Sequence, residues 1–113
     1  MHEQSIVTYL LSEALSNAGK ENAHKILSIK LTVGELTGIE KDSVIFYFGF
    51  LSKNTIAEGA TLEFEYTKAQ LRCRECDIIF SKDKADFICP QCNKKVVEIV
   101  GGRELYIESM EVI

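Results

Sequence analysis

Two C-x-x-C pairs constrain this chain more than any other feature. Cys73-Arg74-Glu75-Cys76 and Cys89-Pro90-Gln91-Cys92 are separated by twelve residues and hold all four cysteines of the 113-residue sequence. A C-x-x-C turn aims two thiolates at one point, and two such turns close a tetrahedron of sulfur around a single ion. The twelve-residue gap is slightly shorter than usual but lets a hairpin return. The expected ligands of a structural zinc ion are therefore Cys73, Cys76, Cys89 and Cys92. Asp77 and Asn93 follow the pairs, where knuckle turns ask for positive φ, and Asp and Asn tolerate it best after glycine.

Two other uses of four cysteines compete with zinc. Disulfides need an oxidising compartment, but the opening Met1-His2-Glu3-Gln4 has no secretory pattern. Four thiolates could also hold iron as a small electron carrier, which colour would reveal at once. No sign of redox chemistry accompanies the knuckles, which favours zinc.

The rest of the chain bounds the answer further. With 113 residues, 46% of them hydrophobic, it can build one small domain with an appendage. No apolar run reaches the roughly 18 residues of a membrane span, so a cytoplasmic protein without membrane attachment is expected. The net charge of −4 argues against general nucleic-acid binding. The charge is uneven, however: Arg72 to Lys95 holds six basic and four acidic residues, and the remainder seven basic and thirteen acidic. A zinc tetrathiolate is formally −2, and the local surplus of positive charge balances it. That surplus is also the one argument for the alternative function, a nucleic-acid-binding zinc ribbon. Only Phe80 and Phe87 would be there to stack on bases.

Around the cysteines the periodicity alternates between helix and strand. Ile6, Val7, Leu10, Leu11, Ala14, Leu15 and Ala18 recur at intervals of three and four, predicting an amphipathic helix. Ser5 or Glu3 could cap its start, and Gly19 fits the left-handed position past its end. Leu27, Ile29, Leu31 and Val33 alternate with Ser28, Lys30 and Thr32, predicting a half-buried strand. A glycine-bounded turn, Gly34 to Gly38, follows; it lacks the Gly-Lys-Ser/Thr ending of a phosphate loop. Residues 43–51 are apolar nearly all round, so helix and strand both remain open; length favours a helix, capped by Asp42 or Ser43 and packed on two sides. Leu62, Phe64 and Tyr66 predict another strand with those three residues inward. In the last segment the inward parity changes between Ile107 and Met110, which in a strand implies a bulge near Glu108–Ser109. The cysteine module interrupts this outer domain, and metal binding must supply the stability that its small apolar surface cannot.

The first three residues offer a second kind of chemistry. A free α-amine, the next backbone amide and an imidazole at position 2 bind one metal through fused chelate rings, and the amide of Glu3 completes a square plane. Amide nitrogen ligates only when deprotonated, and square-planar nitrogen selects Ni²⁺ or Cu²⁺. A lone terminal histidine is more often simply solvated. His24, the other histidine, falls in a polar connection. An enzyme reading finds no Ser/His/Asp set, no free thiol nucleophile and no histidine beside a base.

Taken together, Met1-His2-Glu3 with Ser5, Val33-Gly34-Glu35-Leu36-Thr37-Gly38-Ile39-Glu40, the two cysteine pairs, and Gly102-x-Glu104-Leu105-x-Ile107-x-Ser109-Met110-Glu111-Val112 resemble the HypA/HybF family of hydrogenase-maturation nickel chaperones. The resemblance covers essentially the whole chain. It implies an α+β fold, two helices packed on a small three-stranded sheet with an inserted four-cysteine zinc-ribbon-like module. It divides the chain into a nickel-binding domain, residues 1–69 and 96–113, and a zinc-binding module, residues 70–95. It also implies Ni²⁺ at His2, assisted by the Met1 amine and the backbone of His2 and Glu3, for delivery to [NiFe]-hydrogenase or urease. The implied partners are a HypB-type GTPase and the hydrogenase large subunit, with the chain a monomer or a homodimer. The sequence departs from the family at Asp77 and Asn93, where glycine is common, and has no histidine near the cysteines.

Overall fold

In a computed structural model the described residues are 3–81 and 87–113. The first helix, α1, runs from Glu3 to Lys20 and buries Val7, Leu10, Leu11, Ala14 and Ala18, the stripe that the three-and-four spacing predicts. It starts earlier than expected, so Ser5 lies inside its first turn and caps nothing. Its end also differs. The N–H of Ala23 donates to the carbonyl of Ala18 and that of Asn22 to Gly19, a Schellman ending. The left-handed residue is Asn22, at φ 54°, and Gly19 stays within the last turn.

Strand β1, Ile26–Gly34, is the centre of a three-stranded sheet between β2, Thr61–Thr67, and β6, Leu105–Val112. Lys25 exchanges both backbone hydrogen bonds with Ile113, the mark of antiparallel neighbours. Ile29, Leu31 and Val33 are buried as the alternation predicts, but at the start of the strand Ile26 is buried and Leu27 is exposed. Tyr66 departs from expectation too: it is 52% exposed. Strand β6 half-buries Leu105, Ile107, Met110 and Val112, with the predicted change of parity after Ile107. Lys30, on the central strand, bonds Glu65 of β2 at 3.2 Å and Glu108 of β6 at 3.4 Å.

The segment left open between helix and strand is a helix, α2, Lys41–Leu51. Glu40 occupies its N-cap without a side-chain bond, and Asp42 lies in the first turn, where a negative charge favours the helix dipole; neither Asp42 nor Ser43 caps it. Val44 and Phe48 face inward. With α1 and the sheet they enclose a void of only about 10 Å³, bounded also by Val7, Leu10, Ile29, Leu31 and Leu62. That is about the least space that holds one water, so the core is close-packed. The expectation of packing on two sides is corrected: Phe46 and Phe50 are 69% and 66% exposed, one helical turn apart.

Gly49 sits inside this helix with nothing within 4 Å of the position a Cβ would take. Glycine in a helix interior is less favourable than alanine by about 0.8–1 kcal/mol. Gly49→Ala is therefore expected to raise stability by about that amount, read as a higher denaturant midpoint at unchanged slope; a lower midpoint refutes it.

A second sheet has the order β4-β3-β5, formed by Gln70–Cys73 (β3), Ile79–Ser81 (β4) and Val97–Gly101 (β5). Both pairings are antiparallel, with Leu71 opposite Phe80 on one side and Ile99 on the other. The chain divides into two compact units. One takes the chain up to Thr32, Gly38–Glu65 and Tyr106–Ile113; the other takes Val33–Thr37 and Tyr66–Leu105. Among the described residues no helix is long and apolar enough to cross a membrane.

Candidate metal centre

The two cysteine pairs lie on two turns with nearly the same backbone wiring. In the first, the N–H of Asp77 donates to the Cys73 carbonyl at 2.8 Å, and that of Cys76 to the Cys73 Sγ at 3.4 Å. In the second, Asn93 donates to the Cys89 carbonyl at 2.9 Å and Gln91 to the Cys89 Sγ at 3.4 Å. Asp77 and Asn93 take φ of 63° and 61°, the left-handed positions their residue types predict. Each turn is also held at its base: Cys73 donates to the Ile78 carbonyl, and Cys89 to that of Lys94.

All four sulfurs lie within 4.8 Å of one another, with Cys73 Sγ 3.6 Å from Cys92 Sγ. A zinc–sulfur bond of about 2.3 Å sets the edge of a sulfur tetrahedron at about 3.8 Å, so the cluster fits that ion. None of the four is in a disulfide. Cys73 and Cys89 are fully buried, and Cys76 and Cys92 are half-buried toward solvent. The Cys73 thiol is lowered to about 7, chiefly by the Cys76 N–H, with the Glu75 N–H adding to it. The Cys76 thiol is pushed up to about 12, first by its hydrogen bond to Cys92 and then by burial. Without a cation, then, one sulfur of the first pair gives up its proton readily while the other keeps it. A divalent ion is what lets them ionise together.

Three of the basic residues around the knuckles, Arg72, Arg74 and Lys94, pair with the chain's own acids. Arg72 grips Glu98 with Nε at 2.6 Å and also through Nη2, and reaches Asp77 with Nη1 at 3.1 Å. Arg74 lies 3.7 Å from Glu98, and Lys94 3.8 Å from Glu75. That engagement weakens the nucleic-acid alternative, whose support was a free basic surplus. The Arg72–Glu98 pairing was not read from the sequence. Its only signal there is one acid inside the apolar run Val96–Val100, and its partner lies 26 positions away.

Of the residues expected to hold nickel, Met1 and His2 lie outside the described residues, and Glu3 is the first residue of α1. His24 is exposed, and its N–H donates to the Ile113 carbonyl at 2.6 Å.

The sequence model of the family described as "Hydrogenase/urease nickel incorporation, metallochaperone, hypA" matches residues 1–112. The chain belongs to the HypA family. It is similar to the hydrogenase maturation factor HypA of Caldanaerobacter subterraneus subsp. tengcongensis, 42% identical over 113 residues that cover 99% of either protein. The HypA of Dehalococcoides mccartyi strain 195 is 41% identical over 112 residues, covering 99% of this chain and 94% of the relative. Among solved structures, the nickel metallochaperone HypA from Helicobacter pylori superposes with a TM-score of 0.72 at 28% identity, over 100% of this chain and 98% of that one. A second HypA solution structure gives 0.78 at 29% identity, over 100% and 97%.

As a HypA protein, the chain is a nickel metallochaperone of hydrogenase maturation and not an enzyme. HypA proteins bind nickel and a structural zinc, and the four-cysteine cluster fits the latter. The role places the chain among the maturation machinery. Two helices, a three-stranded sheet and a four-cysteine module bear out the α+β expectation.

Proposed function

We propose that the chain carries its nickel at its first three residues: the Met1 amine, the amide and imidazole of His2, and the amide of Glu3. The observation that carries this reading is that α1 begins at Glu3. The Glu3 amide, the last member of the set, therefore belongs to the first residue of a helix whose later turns are anchored in the core. Amide nitrogen demands an ion that drives its deprotonation, which selects Ni²⁺ over the Zn²⁺ bound by sulfur. A carrier must also release its ion. Four nitrogens drawn from three consecutive residues can be exchanged one at a time for a recipient's ligands, whereas four thiolates on two turns hold their ion for architecture. In this division of labour residues 1–69 and 96–113 serve nickel, and residues 70–95 bind zinc through Cys73, Cys76, Cys89 and Cys92. The protein works in the cytoplasm with a HypB-type GTPase, and its nickel goes to the large subunit of [NiFe]-hydrogenase, with urease a second recipient.

Isothermal titration of untagged protein with Ni²⁺ tests the site. Wild-type protein is expected to bind one equivalent. His2→Ala, and protein whose N-terminus is acetylated or extended by a tag, are expected to lose that binding by at least about a hundredfold, the upper end of what a lost ligand partner costs a metal site. Zinc content stays unchanged in each. Equal nickel titrations for wild type and His2→Ala overturn the assignment.

A further inference from the structure

The two knuckles share their backbone geometry but not their support. The first is tied to the sheet by a side chain. Arg72 stands on β3 immediately before Cys73 and opposite Glu98 of β5. Its guanidinium donates from both Nε and Nη2 to one oxygen of Glu98, Oε1, and turns Nη1 toward Asp77, whose own N–H closes the knuckle on Cys73. One planar fork thus connects a sheet strand to the residue that sets the turn. Arg74, inside the same knuckle, adds a contact to Glu98 at 3.7 Å and donates its N–H to the Val96 carbonyl.

The second knuckle has no equivalent among the described residues. Asn93, the counterpart of Asp77, carries no charge. Among the described residues one ion pair reaches this knuckle, Lys94 to Glu75 at 3.8 Å; its side chains, like that of Asp77, are more than half exposed, but neither of its partners stands on a sheet strand as Arg72 and Glu98 do. It joins one knuckle to the other, not either to the sheet. Such exposed pairs hold little, whereas a planar guanidinium that donates through three nitrogens to two acids, one of them only 29% exposed, constrains direction as well as charge.

We propose that Arg72 is a positioning residue for the metal site: it holds Cys73 and Cys76 in ligating geometry, and the Cys89–Cys92 knuckle is the one that lets go first when metal leaves. The inference rests on the reading that these four cysteines bind zinc. Since Arg72 and Glu98 are 43% and 29% exposed, the fork acts on the local geometry of one turn and contributes little to global stability.

The test uses the full-length, zinc-loaded protein and has three parts. Metal analysis of wild type comes first and judges only the zinc reading. The rate of zinc transfer to a chromogenic chelator is then compared between wild type, Arg72→Gln, Arg72→Lys, Asp77→Asn and Lys94→Gln. Arg72→Gln is expected to release zinc on the order of tenfold faster, the low end for groups that orient metal ligands. Asp77→Asn, which tolerates the same positive φ, moves the same way and serves if Arg72→Gln folds poorly. Lys94→Gln stays within about twofold of wild type. Arg72→Lys keeps the charge but not the fork, and does not restore the slow rate. Release from Arg72→Gln and Asp77→Asn at the wild-type rate, or full rescue by lysine, overturns the proposal. Finally, brief alkylation during release, mapped by mass spectrometry, is expected to label Cys89 and Cys92 before Cys73 and Cys76 in wild type and to lose that order in Arg72→Gln. First labelling at Cys73 or Cys76 in wild type overturns it.

Discussion

Removing zinc with a strong chelator, or replacing Cys73 with serine, is expected to unfold β3, β4 and β5 while leaving α1 and α2 folded. In the unit that holds the cysteines, the fully buried apolar side chains among the described residues are few: Val33, Ala69, Leu71, Cys73 and Cys89. Ile79, Phe87, Val96, Ile99 and Val100 are exposed by a third or more. Burial of one leucine, one valine and one alanine stabilises by only several kcal/mol, about 25 cal/mol per Å² of apolar surface. A structural zinc site contributes an apparent 10–16 kcal/mol or so, so the metal decides whether this unit folds. Hydrogen exchange makes the check: amides of 70–81 and 97–101 lose protection, whereas those of Val7 to Ala18 keep it. Retained protection in the chelated protein would refute the account. Acid acts in the same direction. A ligand such as Cys76, whose thiol is pushed up to about 12, surrenders a proton when zinc binds. Affinity then falls about tenfold per pH unit for each proton so displaced.

Gly34→Ala is expected to destabilise the protein by about 3 kcal/mol, the upper end of the range for overpacking. A Cβ on Gly34 would press against the carbonyl carbon and oxygen of Gly102 and come within 2.7 Å of the Arg103 nitrogen. Every one of those is a backbone atom, so no side chain can swing aside. The same segments are bonded there: Gly34 donates to the Glu104 carbonyl and Leu36 to that of Gly102, each at 2.7 Å. Gly102 has φ 108°, and its own Cβ would lie 2.7 Å from the Ala69 Cα. The Glu104 carboxylate completes the joint by accepting the Gly102 N–H at 2.8 Å and the Thr67 hydroxyl at 3.0 Å. Its own N–H and that of Gly102 hold it below the ordinary carboxylate range. Equilibrium urea denaturation of Gly34→Ala beside Gly49→Ala separates a glycine required by its neighbours from one that is not. Equal midpoints for the two would show that the joint tolerates a side chain.

What could be read from residues alone follows the range of the interaction involved. The knuckles were legible because their geometry is local: C-x-x-C fixes the turn, and Asp77 and Asn93 announce the positive φ. The α1 stripe was legible because its period is self-contained. Which way some apolar residues face was not, because Leu27, Tyr66, Phe46 and Phe50 carry no mark that separates core from surface. The reason for Gly34 was hidden as well. The sequence shows a glycine-bounded turn, but the atom that forbids a larger residue belongs to Gly102, 68 positions later. Arg72 and Glu98 were hidden in the same way. The proposed nickel donors stand at the other extreme: only the chemistry of an amine, amides and an imidazole in succession speaks for Met1, His2 and Glu3.

The order of strands has a consequence for how the molecule is made. β6 flanks the central strand β1 yet follows all four cysteines in the chain. A ribosome therefore delivers both knuckles before it delivers the strand that completes the first sheet. The first sheet thus lacks one edge until every sulfur ligand has been synthesised, and no part-length chain that stops before Leu105 can close it.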